Sequence, residues 1–153
     1  MKILTAVPEK LLKEIKTNNV VYAKTDFENP YSKKAYQQLK HISGFENFFF
    51  GIVINDYADI QELKTQCCYS NPNNNIILTL EVPQKELFLH DYYDFSDLIA
   101  LYENLETFDD NVTPECISEL LKNKPYDHNE LTQAVYPKIK KQYIKYLEPA
   151  PLL

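Results

Sequence analysis

The run Phe48-Phe49-Phe50-Gly51-Ile52-Val53-Ile54 restricts the folds open to this chain more than any other stretch. It is short for a helix, rich in β-branched and aromatic residues, and carries no polar side chain. Those properties predict a strand buried on both faces, ended by Asn55-Asp56. Three further strands are expected around it. Residues 2–6 alternate briefly, Val20-Val21-Tyr22-Ala23 is β-branched, and Ile76 to Val82 is a second long apolar run stopped by Pro83. Leu87-Phe88-Leu89 reads as another short strand.

Helices are expected between these strands. Pro8 fits the first turn of one whose face is Leu11, Leu12 and Ile15, with Asn18-Asn19 as its stop. Asn29-Pro30 opens a second, about 31–42, with Tyr36, Leu39 and Ile42 at helical spacing. Tyr57 to Gln66 reads as a third. Asp94 or Ser96 caps a fourth over about 96–105, and Thr113-Pro114-Glu115 opens a fifth over about 114–123. Ser70 to Asn75 has nothing apolar to bury and reads as a loop. Leu131, Val135, Ile139, Tyr143 and Leu147 fall four apart, as in a helix, but Pro137 interrupts them. A proline there removes a backbone bond, so two short strands, about 132–136 and 142–147, are preferred. With 153 residues and no linker or repeat, residues 1–153 read as one α+β domain, a small mixed or antiparallel sheet with peripheral helices.

Composition narrows the chemistry. All sixteen basic residues are lysine, so the planar fork that grips phosphate or carboxylate at two points is missing. Gly44 and Gly51 are the only glycines, which excludes the glycine-rich phosphate cradles of P-loop and dinucleotide-binding enzymes. The net charge of −6 leaves no basic surplus for general nucleic-acid binding. No stretch approaches the roughly 18 apolar residues that span a bilayer, and the N-terminal segment does not read as a signal peptide. A cytoplasmic protein is expected. Cys67, Cys68 and Cys116 and the scattered His41, His90 and His128 lack metal-site spacing, and buried reduced thiols are the default reading. No metal is expected.

Few residues point to catalysis. His90-Asp91-Tyr92-Tyr93-Asp94 follows a strand end and offers an imidazole, carboxylates and phenols, an acid/base set whose bland reading is a solvated turn. Asp109-Asp110 reads as solvated. Cys67 or Cys116 would need a histidine nearby to act as a nucleophile.

Three stretches carry a resemblance. They are Ile3-Leu4-Thr5-Ala6-Val7-Pro8 with Val20-Val21-Tyr22-Ala23; Ile77 to Pro83 followed by Leu87-Phe88-Leu89-His90-Asp91 and Tyr93-Asp94; and Thr132-Gln133-Ala134-Val135-Tyr136 running to Tyr143-Ile144. Together they resemble an uncharacterised bacterial family known only as a domain of unknown function, from whose pattern this chain departs by lacking tryptophan and arginine. The order of elements is also distantly similar to ADP-ribosyltransferase-like folds. That likeness implies an NAD cleft with candidate positions at Thr5 on the first strand, at Phe50 or Tyr57 in the middle, and at Gln133 near the end. None of these supplies the expected charge. A neutral Gln133 cannot support a developing oxocarbenium ion as a carboxylate does.

Two functions follow as expectations. The first is a non-enzymatic acidic interaction protein of bacterial or phage origin, binding an unknown protein partner through Asp91, Tyr92, Tyr93, Asp94 and Asp97. The alternative is an ADP-ribosyltransferase-like domain that binds NAD or another nucleotide, with weak, altered or lost transferase activity and Thr5, Tyr57, His90 and Gln133 as candidate catalytic residues.

Overall fold

The computed structural model describes residues 1–24, 30–69, 74–103, 116, 119, 121 and 125–151. The elements are β1 (Lys2–Val7), α1 (Glu9–Asn18), β2 (Val20–Tyr22), α2 (Pro30–Ser43), β3 (Phe49–Val53), α3 (Ile60–Tyr69), β4 (Ile76–Glu81), β5 (Phe88–Asp91), α4 (Tyr92–Glu103), β6 (Thr132–Tyr136), β7 (Lys138–Lys140) and β8 (Ile144–Pro149). Six strands form one sheet in the order β5-β6-β3-β1-β4-β8, and β2 pairs with β7 in a small second sheet. Every pairing is antiparallel. The α+β class expected from the sequence is the class observed.

The Phe48–Ile54 run lies centrally, as β3 between β1 and β6, and is buried on both faces. Strand pairing places Leu4, Ile52, Gln133 and His90 directly opposite one another in a row across β1, β3, β6 and β5. Side chains paired in this way share one face. Leu4 and Ile52 pack there with Leu63, Cys67 and Cys68 of α3. One step along, Phe50, Val135 and Phe88 occupy the same face and pack with α2 and α4 through Leu39, Phe95 and Leu98. The opposite face carries Ile3, Val53, Leu78 and Tyr136 and is covered by Leu12 and Ile15 of α1 with Val21 and Ile139 of the small sheet.

Local chemistry explains several boundaries. Asn19 ends α1 in the left-handed conformation, φ 64°, with its N–H on the Ile15 carbonyl. Pro8 sits one position earlier than expected: it is the extended N-cap residue of α1, not a member of the first turn. The third helix begins at Ile60 and not at Tyr57, because Asp59 caps it, its carboxylate accepting from the N–H groups of Gln61 and Glu62. Pro137 turns the chain between β6 in the large sheet and β7 in the small one, so the segment after Leu131 is strand, as preferred. Its final strand is β8 at 144–149, preceded by a 3₁₀ turn over Lys141–Tyr143. Most of the helix expected over about 114–123 lies outside the described residues, as do Asp109-Asp110 and residues 70–73 of the expected loop.

β1 and β3 are paired only at Ile3–Val53 and Leu4–Ile52. Beyond Leu4, β1 continues along β4 as far as Val7–Ile76, while β3 stays with β6 back to Phe49–Tyr136. The two halves of the sheet therefore part at Leu4. The Phe50 carbonyl near the fork is met by hydroxyls, Thr5 Oγ1 donating at 2.7 Å and Tyr136 OH at 3.4 Å. Gly51 sits at the closest approach, where a Cβ would stand 2.9 Å from the Leu4 carbonyl oxygen and 3.3 Å from the Tyr136 ring. The obstructing atom is backbone, so it yields little. Gly51→Ala is expected to destabilise the fold by about 1–3 kcal/mol through overpacking, read as a lower urea midpoint at unchanged m-value.

Candidate functional site

A cavity of about 550 Å³ opens where β1 and β3 separate. That volume falls within the range typical of small-molecule sites. One lip is the end of β1, Thr5 to Val7, with Pro8 and Leu11 of α1; the other is Phe48 to Ile52. Gln133 contributes from β6. Tyr36 of α2, Cys67 of α3 and Tyr92, Phe95, Ser96 and Ile99 of α4 close it from the helical layer, and Lys24 and Asn74 complete the described lining.

Six of the described lining residues are aromatic, and several of these rings brace one another. Tyr36 meets Phe50 edge-on at 5.1 Å and Phe95 edge-on at 5.4 Å, while Phe50 stacks on Phe95 at 5.8 Å. Such contacts favour a fixed ring arrangement over a collapsible one. Burial and the neighbouring Tyr92 push the Tyr36 hydroxyl up to about 12, so it stays protonated. Burial likewise lifts the Cys67 thiol to about 12, with the Cys68 thiol adding and the Ala6 backbone hydrogen bond opposing. A thiol held there is not a nucleophile at neutral pH.

Gln133 is 4% exposed, and its Oε1 is buried with no hydrogen-bond partner among the described residues. Its neighbours in the sheet row supply no donor, since Ile52 is aliphatic and the His90 Nδ1 proton is directed to the Asp91 carbonyl. His90 Nδ1 lies 3.0 Å from the Asp91 carbonyl oxygen, which makes Nδ1 the protonated nitrogen. Nε2 then carries a lone pair, and it too is buried without a partner. Desolvation lowers the His90 pKa to about 4, against smaller opposing contributions from the Asp91 carbonyl and carboxylate. The row across the sheet thus ends in two adjacent side chains that both need donors.

Of the four candidate catalytic residues, the fold brings Thr5 and Gln133 to one cavity, pairs His90 with Gln133 in the sheet but outside that cavity, and leaves Tyr57 apart. Thr5 is 2% exposed, its proton committed to the Phe50 carbonyl. His90 borders a different, far smaller void, with Phe95 edge-on at 5.3 Å. Tyr57 lies at the surface outside the cavity, its hydroxyl 3.1 Å from that of Tyr93. Phe50, the other middle candidate, lines the cavity.

The acidic surface expected over 91–97 is reduced by the fold. Asp91 is buried, because β5 runs straight into α4 and its carboxylate caps that helix, accepting from the Tyr93 and Asp94 N–H groups. The cap is therefore Asp91 and not Asp94 or Ser96, and no solvated turn intervenes. Tyr92 is half-buried and lines the cavity, Asp94 is half-buried, and only Tyr93 and Asp97 are exposed. Sequence reasoning placed Tyr36 on a core-facing stripe and gave no part to Phe95, Asn74 or Lys24. The run Phe48 to Phe50 reads in sequence as part of a buried strand, and Thr5, Phe50 and Gln133 are the lining residues the sequence analysis assigned to a cleft.

No carboxylate lines the cavity among the described residues, and no group of three or more metal-ligating side chains occurs among them. The cavity is lined by aromatic and aliphatic residues with Thr5, Lys24, Asn74, Ser96 and Gln133 as its polar members. Compared with family models, curated proteins and solved structures, the chain matches none. Among the described residues no helix is long and apolar enough to cross a membrane.

Two consequences of burial are measurable. His90 takes up its proton near pH 4 when folded and near 6.5 when unfolded. Between these values the unfolded chain binds more protons, so stability is complete above pH 6.5 and falls on acidification towards pH 4. The loss is on the order of 3 kcal/mol, and in urea titrations His90→Leu is expected to flatten this part of the pH profile. Gln133→Leu removes a buried acceptor that has no partner, and is expected to leave the unfolding free energy unchanged or raise it by about 1 kcal/mol. A clear drop in the melting temperature would show instead that the amide is held by the protein.

Proposed function

We propose that this chain is a small-molecule binding domain whose ligand belongs to the nucleoside or nucleotide class, NAD included, and lies in the cleft between β1 and β3. The observation that carries the reading is a cavity of about 550 Å³ that joins the braced rings of Tyr36, Phe50 and Phe95 with Thr5 and Gln133. A planar base matches a cavity lined by the aromatic residues Tyr36, Phe50 and Phe95.

The presence of Thr5 and Gln133 in one cavity supports the NAD-binding part of the ADP-ribosyltransferase-like expectation. Its chemical part has less support. Bond cleavage to nicotinamide develops positive charge on the ribose, and the described lining offers a neutral amide where a carboxylate would be needed. The reading is therefore of binding without efficient transfer. A protein-binding role through 91–97 retains Tyr93 and Asp97 as its exposed groups, a smaller basis than the cleft provides.

Calorimetric titration with adenosine, NAD and ADP-ribose tests the proposal, with thermal unfolding as a second readout. Saturable heat is expected. Ligand at about 100-fold over Kd stabilises a fold by about 2.7 kcal/mol, enough to raise the melting temperature by several degrees. Flat titrations at millimolar ligand together with an unmoved melting temperature would remove the reading.

A further inference from the structure

We propose that the outer face of the small sheet docks a second copy of this chain, receiving the acidic surface at the starts of α3 and α4, so that molecules join head to tail. This goes beyond the ligand-binding reading and does not depend on it.

The small sheet has one covered side and one open side. Val21 and Ile139 are paired with each other and buried against the large sheet. Their chain neighbours point the other way. Register pairs Val20 with Lys140 and Tyr22 with Lys138, so these four share the outer face, where Tyr22 is 62% exposed. Lys141 follows directly after β7, and its N–H bonds the Asn19 carbonyl. That contact brings the exposed Lys141 beside the last turn of α1, which contributes the exposed Lys16. Lys138 lies 3.8 Å from Glu86. Lys16, Lys140 and Lys141 have no ion pair among the described residues. The face is thus cationic around an exposed tyrosine.

The chain itself carries the complement. Residues 41–63, 86–121 and 125–137 contain no lysine. The first two of these stretches supply the starts of α3 and α4, which meet where the Tyr57 and Tyr93 hydroxyls stand 3.1 Å apart. Tyr57, Ile60 and Tyr93 are all exposed there. Asp56, Glu62 and Asp97 are exposed on the same two segments and have no ion pair among the described residues. The third stretch adds the exposed Asp127, its turn held by the Asp56 N–H on the His128 carbonyl.

Opposite charge steers two such surfaces together, and the exposed apolar side chains give them something to bury. The small sheet covers one face of the large sheet, whereas α3 and α4 pack on the other. One molecule therefore cannot satisfy itself. A contact between unlike surfaces leaves one of each kind free, and the assembly grows by addition. A nucleic acid would meet the same lysines, but it would bring its phosphates to a chain of net charge −6 that holds no arginine.

Sedimentation velocity on the intact chain tests this, over a range of concentrations at about 0.1 M and about 1 M sodium chloride. Charges act over roughly 10 Å in the first and 3 Å in the second. Reductant is included because Cys116 is exposed. The average mass is expected to climb above that of one chain with concentration at the lower salt and to return to it at the higher. Lys140→Gln/Lys141→Gln and Asp56→Asn/Glu62→Gln should each weaken self-association by about tenfold, as two lost surface ion pairs would, with melting temperatures showing both variants folded. Mixed together, the two variants should form a complex that stops at two chains, because each keeps one intact surface. A chain that is monomeric at both salts, association that ignores salt, or variants that associate like the wild type would each overturn the inference and leave the cleft untouched. A monomer that binds labelled oligothymidylate, and loses it in Lys140→Gln/Lys141→Gln, would overturn it in favour of a nucleic acid on this face.

Discussion

The contact of Gly51 with the Leu4 carbonyl governs the rest of the molecule. At that point two central strands run close enough that a methyl group does not fit. Immediately beyond it they diverge, each held by its other neighbour. A close crossing followed by a fork yields a cavity inside a sheet protein without removing any strand. The helical layer must then bridge two clusters, one around Leu63 and Cys67 and the other around Leu39, Phe95 and Leu98. The cavity lies along the seam between those clusters, where neither packs completely.

This arrangement explains how a buried polar row is tolerated. Leu4 and Ile52 meet ordinary apolar partners, whereas Gln133 and His90 occupy the β6 and β5 end of the row. A buried polar atom without a partner is expensive, and folded proteins carry few of them. Here two of them sit side by side on adjacent strands. Natural sequences break local rules of this kind mainly at functional positions. The imidazole is kept neutral by its surroundings, so the region is polar without being charged.

Much of the fold was legible because it is encoded over short distances. The apolar run at β3, the Asn19 stop, the Pro137 corner and the strand before Pro83 each depend on a few neighbouring residues, and all of these appear. The failures are also local in origin. Tyr57 was read as helical because the pattern counted apolar spacing and overlooked Asp59 as a stronger cap. Asp91 was read as surface because a strand and a helix that abut leave no turn, and an acidic residue at that junction is drawn inward to the helix N–H groups. Composition, periodicity and spacing gave no sign of the cavity, and the expectation of one cleft for Thr5, Phe50 and Gln133 came from the resemblance alone. Thr5 and Gln133 lie far apart in the chain and meet only through pairing of β1, β3 and β6, and Tyr36 and Phe95 join them from two helices. Periodicity assigns such residues to a core and is silent on whether the core is full.

The order of the strands has a consequence for how the protein is made. The sheet row that floors the cavity draws on residues 4, 52, 90 and 133, so its third member in space is its last in the chain. Until Thr132–Tyr136 arrives, Phe88–Asp91 has no strand to pair with in the large sheet and β3 has one open edge. Ile144–Pro149 closes the opposite side of the same sheet along β4. During synthesis the apolar centre must therefore wait, exposed, for the C-terminal fifth of the chain, and long-range closure of this kind is slow. A truncation that spares every helix but loses these last strands would leave a sticky, unfinished sheet, not a smaller version of the same domain.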